Sequence, residues 1–493
     1  MDVKKSIVQD SIKYSSGRII AQGIGMVRGL AVAAILGPTA LGLWNALSLI
    51  FSYGKESHLG TLNALDREVP INRGKEDWKR VAAVQDVTLG AILSLPLLVA
   101  VVIFAISFFL DSTPEVVFGL RLLAPAIIFG LLYDFFFKLF RAYHNFGMVA
   151  RLVVIMAAID IILALALSAV YGIYGLFVAQ LATYFLMFII ARRYSDFKVH
   201  IRFSIPASIN LVKIGLPILM VGLVNTLLST ADRLMIIKFL GQTDLGYYAI
   251  GLGMVQVLLL VPYVIAEVLY PRIAYAYGQS QQKDSLQAFV IQPQLLISIA
   301  APLLAGALFI IFPALVTLLL PDYIPGITAG RILIAGWVFM ALPGAGAALY
   351  TIGKQRIVLW LTFAAVILNV IFNYIAISLD TGISGVAVAT SASYGLRLVA
   401  GIGIGLYILG MAGRRVASYL VRIFLPIVYV FFLLMAISYL GGLWGLDEGN
   451  VYARTAIEAL LFATGSLPLL IVLWRRMKEF GVMDIIRNWR KRE

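Results

Sequence analysis

Apolar residues in this chain come in runs of about twenty, separated by short clusters of charged and turn-forming residues. A helix rises about 1.5 Å per residue, so each run can cross roughly 30 Å of hydrocarbon. The pattern predicts fourteen spans, at about 17–36, 39–57, 84–110, 117–137, 148–170, 173–191, 211–239, 245–268, 287–318, 329–351, 357–379, 383–409, 418–440 and 451–474. The first is expected to remain as a helix. Arg28 interrupts it, no small-residue cleavage site follows, and it forms part of a repeat.

That repeat organises the chain. LGPTALGLWNALS at 36–48 recurs as LGQTDLGYYAIGL at 240–252, and GIYGLFVAQLATY at 172–184 recurs as GISGVAVATSASY at 382–394. RLLAPAIIF from Arg121 also superposes on RILIAGWVF from Arg331. Nearly constant offsets across three blocks mean that two whole lobes correspond. Residues 1–191 form an N-terminal lobe of spans 1 to 6, residues 192–210 a basic linker containing Pro206, and residues 211–410 a C-terminal lobe of spans 7 to 12. Residues 411–493 add a helix pair, spans 13 and 14, and a basic cytoplasmic tail. Six spans per lobe is an even number, so both copies enter the membrane in the same direction and the repeat is parallel.

Composition agrees with the spans. Of 493 residues, 61% are hydrophobic and 13% charged, against about 25% charged in an ordinary soluble chain. Most of the 39 basic residues fall in loops that alternate with short acidic or neutral ones (DSTPE, YGIYG, PDYIPG, LDTG, GLDEGN). By the positive-inside rule both termini face the cytoplasm. The expected fold is therefore an all-α polytopic membrane protein, N-in and C-in. The formal charge of +14 is accounted for by this bias and by attraction to anionic membrane lipids, without a nucleic acid.

Cysteine is absent and the three histidines are scattered, so no disulfide, thiolate or histidine metal site is expected, and no cofactor. No GxxxxGK[ST] loop is present, and no outer loop is large enough to carry catalysis, so the chain reads as a non-enzyme.

The informative residues are charges inside the spans, where an arginine facing lipid costs at least about 3 kcal/mol. Arg28 sits near the middle of span 1, with Arg18 close to the same face. Its repeat position in lobe two is Asp232, followed by Arg233. One reading is a structural ion pair between Arg28 and Asp232. Another, compatible with it, is a cationic chamber lined by Arg18, Arg28 and Arg233. Lys55, Glu56, Asp134, Asp160 and Arg397 extend the set. Guanidinium forks suit phosphate oxygens, while the carboxylates suit a coupling sodium ion or proton, or ion pairs that fix helix register. Arg121 and Arg331 are expected to anchor at headgroups, and Glu267 and Glu458 at the solvated interface. The charged run at 67–80 is expected to be mainly a solvated face. Gln22, Asn45, Asn225, Asn369 and Asn373 are candidates either for glycan contact or for gluing helices together.

Three segments carry a family resemblance: SGRIIAQGIGMVRGLAVAAILGPTALGLW at 16–44, ALDREVPINRGK at 64–75 and STADRLMIIKFLGQTDLGYYAIGL at 229–252. In these the chain resembles the polysaccharide and lipid-linked oligosaccharide flippases of the multidrug/oligosaccharidyl-lipid/polysaccharide exporter superfamily. The resemblance implies alternating access around a central cavity and a polyprenyl-(pyro)phosphate-linked oligosaccharide as substrate. It also implies membrane enzymes of a glycan pathway as partners, a place in the inner membrane, and a groove for the lipid tail at spans 13 and 14. The family's cavity arginines map onto Arg18, Arg28 and Arg233. The rival expectation is a cation-coupled multidrug-type antiporter of the same superfamily.

Overall fold

The computed structural model describes the backbone of residues 3–259, 262, 273, 277, 279, 282–443 and 451–479, with side chains from residue 16 onward except residue 257. Among these, every regular element is a helix: α1 (Val3–Lys55), α2 (Thr61–Gly74), α3 (Trp78–Ile92), α4 (Leu95–Ile106), α5 (Pro114–Ala142), α6 (Phe146–Arg193), α7 (Ile205–Phe239) and α8 (Gln242–Leu258). Then follow α9 (Gln287–Leu319), α10 (Ile327–Ala341), α11 (Gly346–Thr351), α12 (Gln355–Ser378), α13 (Gly382–Ile408), α14 (Gly413–Leu443), α15 (Val451–Gly465) and α16 (Leu467–Glu479). Helices satisfy their own backbone polar groups, as hydrocarbon demands.

Two helices are too long to be single crossings. α1 has 53 residues and α6 has 48, so straight they would measure about 80 and 72 Å, more than twice the hydrocarbon thickness. Each is broken at one glycine with positive φ, Gly37 (φ 72°) and Gly172 (φ 56°). The chain folds back at both. The Arg28 guanidinium lies 5.9 Å from the Trp44 ring, where a straight helix would hold them about 24 Å apart. Gly175 likewise approaches the Leu167 carbonyl so closely that a Cβ would collide with it. Ten described helical segments can cross a bilayer, or eleven with the bent α15–α16 pair. With α1 and α6 each crossing twice, thirteen of the fourteen expected spans are found among the described residues, and α8 falls at the start of the eighth. The rest of the eighth span, Glu267 and the basic tail beyond residue 479 lie outside the described residues.

The duplication is written into the backbone. The repeat partners of Gly37 and Gly172 are Gly241 (φ 99°) and Gly382 (φ 59°), so corresponding turns use the same left-handed backbone. At such a φ a residue with a Cβ is strained, which is why glycine stands at each turn.

By packing, the described chain divides into Met1–Ala249 and Ile250–Glu493. This is not the repeat division, because α7 seats against the first six spans. Gly60 and Gly215 meet backbone to backbone with no room for a Cβ on either, and the Tyr53 hydroxyl hydrogen-bonds Thr230. The core of the first unit runs through Leu62, Leu65, Ile127, Leu131, Phe135 and Phe177. The charged run at 67–80 is exposed at most of its positions, including all of 74–80, as expected. Much of it is α2, which buries Leu62, Leu65 and Val69 and is tied to α5 by an Asp66–Arg141 ion pair and by Lys138 Nζ donating to Asn63 Oδ1 (2.8 Å).

In the second unit the extra helices pack on α9 and on each other through glycine sockets. Gly306 receives the Phe462 ring, and Gly465 receives Leu433. Glu458 is not at a solvated interface: it is 4% exposed and paired with Arg454 (2.8 Å). The two repeat-related arginines keep one habit. Arg121 stacks on Phe108 (4.2 Å) and Arg331 on Phe309 (4.0 Å).

Candidate functional site

A cavity of about 410 Å³ lies within the first unit. Helical periodicity builds it. Ala21, Gly25 and Arg28 share one face of the first arm of α1, and Val153, Met156, Ala157 and Asp160 share one face of the first arm of α6. Lys55 closes it from the end of the second arm of α1, Tyr133, Asp134 and Phe137 from α5, and Tyr184 from the second arm of α6.

Four of these residues are charged, and they pair. Arg28 Nε lies 2.8 Å from Asp160 Oδ2, a close ion pair whose N–H is not aimed for a hydrogen bond. Lys55 Nζ lies 2.6 Å from Asp134 Oδ2. Each cation also has an aromatic face. Arg28 lies over Trp44 at 5.9 Å, and Lys55 lies over Tyr184 at 5.3 Å and Phe51 at 5.8 Å. All four side chains remain partly exposed, between 18% and 31%, so the pairs face the cavity.

This arrangement corrects two expectations. Arg28 pairs with Asp160, not Asp232. Asp232 is 2% exposed and accepts hydrogen bonds from the Tyr248 hydroxyl (2.7 Å) and the Arg233 backbone N–H (2.8 Å). The physical reason is packing: the repeat register matched Asp232 to Arg28 in depth, but the first arm of α6 packs along α1 and presents Asp160 to Arg28. Nor is the cavity lined by three arginines. Arg18 is exposed on α1 below Ala21, and Arg233 is half-buried and donates to its own helix at Ser229 O (2.9 Å). Neither lines this cavity.

The remaining candidates separate by position. Glu56 lies beyond the cavity, its Oε2 3.9 Å from His58 Nε2. Arg397 is half-buried on α13 in the second unit. Asn45 and Asn225 donate to carbonyls of their own helices, at Leu41 and Val221. Asn373, Asn369 and Thr390 form a buried chain joining α12 to α13, which fits interhelical glue. Among the described residues no group of three or more His, Asp or Glu side chains could hold a metal ion. Inspection of the sequence missed the aromatic faces of Trp44, Phe51 and Tyr184. Their spacing from the charges within an α1 or α6 hairpin was the available signal.

Comparison with known proteins decides the family. A family model described as polysaccharide biosynthesis protein matches residues 32–323, more than half of the chain. The chain belongs to the polysaccharide biosynthesis protein family. No curated protein sequence matches it. Among solved structures, the polysaccharide biosynthesis protein is similar to a MATE transporter in complex with MaL6 (TM-score 0.61, 17% identity, 83% of this chain and 97% of that one). It is also similar to an outward-facing multidrug resistance MATE family transporter of the MOP superfamily (TM-score 0.59, 16% identity, 81% and 95%). A third likeness is to a MOP superfamily transporter from Pyrococcus furiosus whose binding pocket is described as having reverse polarity (TM-score 0.58, 17% identity, 83% and 96%). At these identities the likeness establishes a shared fold.

Proposed function

We propose that this polysaccharide biosynthesis protein is an alternating-access flippase of the inner membrane. It carries a polyprenyl-(pyro)phosphate-linked glycan from the cytoplasmic to the outer leaflet. The observation that carries the reading is the cavity's pairing of two cations, Arg28 and Lys55, with an aromatic lining. A phosphate needs charged donors inside the membrane, and a guanidinium supplies them as a planar fork. Tyr133, Phe137 and Tyr184 offer ring faces to sugar. The lipid tail stays in the bilayer.

The second reading, a cation-coupled multidrug-type antiporter, is favoured by the MATE neighbours. It requires a carboxylate available to a cation, whereas Asp134 and Asp160 each already face one. Binding separates the two. A short-chain polyprenyl pyrophosphate should bind the detergent-purified protein, with affinity lowered at least about tenfold by Lys55→Gln, the loss of one charge-assisted contact. Binding of a cationic dye but not of the pyrophosphate would overturn the flippase reading.

A further inference from the structure

The tenth span is broken. The apolar run Pro321–Thr351 is long enough to cross a membrane, yet its helix stops at Ala341, the end of α10, and resumes at Gly346, the start of α11. The sequence LPGA at 342–345 makes the gap. A residue before proline is driven out of the helical region, and Leu342 is extended (φ −69°, ψ 119°). Proline alone does not open a span in this chain, because Pro125, Pro302 and Pro426 all sit inside continuous helices. Backbone released inside a span also needs a partner, which hydrocarbon does not offer.

Gln294 of α9 is that partner. Its side chain is 0% exposed, and Nε2 donates to the Pro343 carbonyl at 2.6 Å, standing in for the amide four residues on that would bond this carbonyl in an unbroken helix. The Tyr419 hydroxyl of α14 donates to Gln294 Oε1 at 2.6 Å, which fixes the end of the amide that faces Pro343. α13 leaves room for the break at Gly405, where a Cβ would collide with Ala345. All of these residues belong to the second unit. Lobe one is built differently. Continuing the register that pairs Arg121 with Arg331, residues 342–345 match residues 132–135 of α5, an unbroken helix whose Tyr133 and Asp134 line the cavity.

We infer that the break in the tenth span is a hinge at which the second lobe flexes during transport, and that Tyr419 and Gln294 are positioning residues through which α14, a helix outside the duplication, latches it. The hinge rests on the flippase reading, whereas the latch stands without it.

Hydrogen exchange of the full chain in lipid nanodiscs reads the latch. Tyr419→Phe removes one buried hydrogen bond, and exchange of the amides at 342–352 should rise about tenfold. Tyr429→Phe is the control. It also removes a hydroxyl bond made by α14, to the Gly465 carbonyl at 2.7 Å, and should leave exchange at 342–352 unchanged. Wild-type exchange there in Tyr419→Phe, or an equal rise in both variants, would overturn the latch. Pro343→Ala with Gly344→Ala tests the hinge by letting the helix close. Exchange over the same amides should fall, and movement of a labelled polyprenyl-pyrophosphate oligosaccharide between vesicle leaflets should fall at least about tenfold. Wild-type movement in this variant, or unchanged exchange, would overturn the hinge. No movement by the wild-type protein would overturn the flippase reading and the hinge with it, and the exchange comparison would still decide the latch.

Discussion

Thr39 Oγ1 and Thr243 Oγ1 lie 2.9 Å apart, and they are the same residue of two repeats, 204 positions apart. The duplicated LGxTxLG motif thus packs against its own copy. The contact is reciprocal: a Cβ on Gly42 would strike the Gln242 backbone, and one on Gly246 would strike the Pro38 backbone. The contact joins the first turn of one repeat to the first turn of the other. Alternating access requires that it open.

A disulfide tests this directly, because the chain contains no cysteine. The two side chains touch at their hydroxyls, so cysteines at these positions would face each other. Thr39→Cys with Thr243→Cys should cross-link under mild oxidant, stop lipid movement, and recover on reduction, while each single variant stays active. Continued movement in the fully oxidised double variant would show that transport does not require this contact to open.

The glycines at the same contact carry a steric prediction. Gly246→Leu drives its Cβ into the Pro38 backbone, and overpacking of this kind costs about 1–3 kcal/mol. The expected outcome is a lowered thermal midpoint, together with increased labelling from outside of a cysteine placed at Thr39. An unchanged midpoint and unchanged labelling would contradict the close packing.

A charge swap separates structure from transport at Arg28. Arg28→Ala should abolish transport while the protein still inserts. The swap of Arg28→Asp with Asp160→Arg keeps the pair, so its thermal midpoint should return close to that of the wild type. It moves the guanidinium to the other wall of the cavity, and transport should stay at least about a hundredfold down, as expected for a lost charged contact of about 3 kcal/mol. Full transport in the swapped protein would reduce the pair to a structural role.

Glu458 supports the extra helices from within. It is 4% exposed and pairs with Arg454, so Glu458→Ala removes a buried carboxylate together with its ion pair. Breaking a buried pair costs about 3–5 kcal/mol. Protease susceptibility at α15 and the thermal midpoint should both report the loss, and a change under about 0.5 kcal/mol would contradict the burial.

The turns were legible in the sequence because they depend on local chemistry. The repeats place Gly37 against Gly241 and Gly172 against Gly382, and all four adopt the same left-handed backbone. The charges were legible as a set because hydrocarbon penalises them individually. Their pairing was not, since the repeat register matches Asp232 to Arg28 in depth and only packing brings Asp160 to it. Glu458 misled for a related reason. Its position near a span end suggested solvent, but the socket that Gly306 makes for Phe462, one turn along the same helix, draws α15 against α9.

The central claim is movement of a lipid-linked glycan between leaflets, and one measurement addresses it. Vesicles containing the wild-type protein, loaded with a labelled polyprenyl-pyrophosphate oligosaccharide, should expose that lipid to an impermeant reagent on the opposite face. Vesicles containing Arg28→Ala should not. No movement of the lipid by the wild type, alongside cation-coupled efflux of a dye from the same vesicles, would contradict the account.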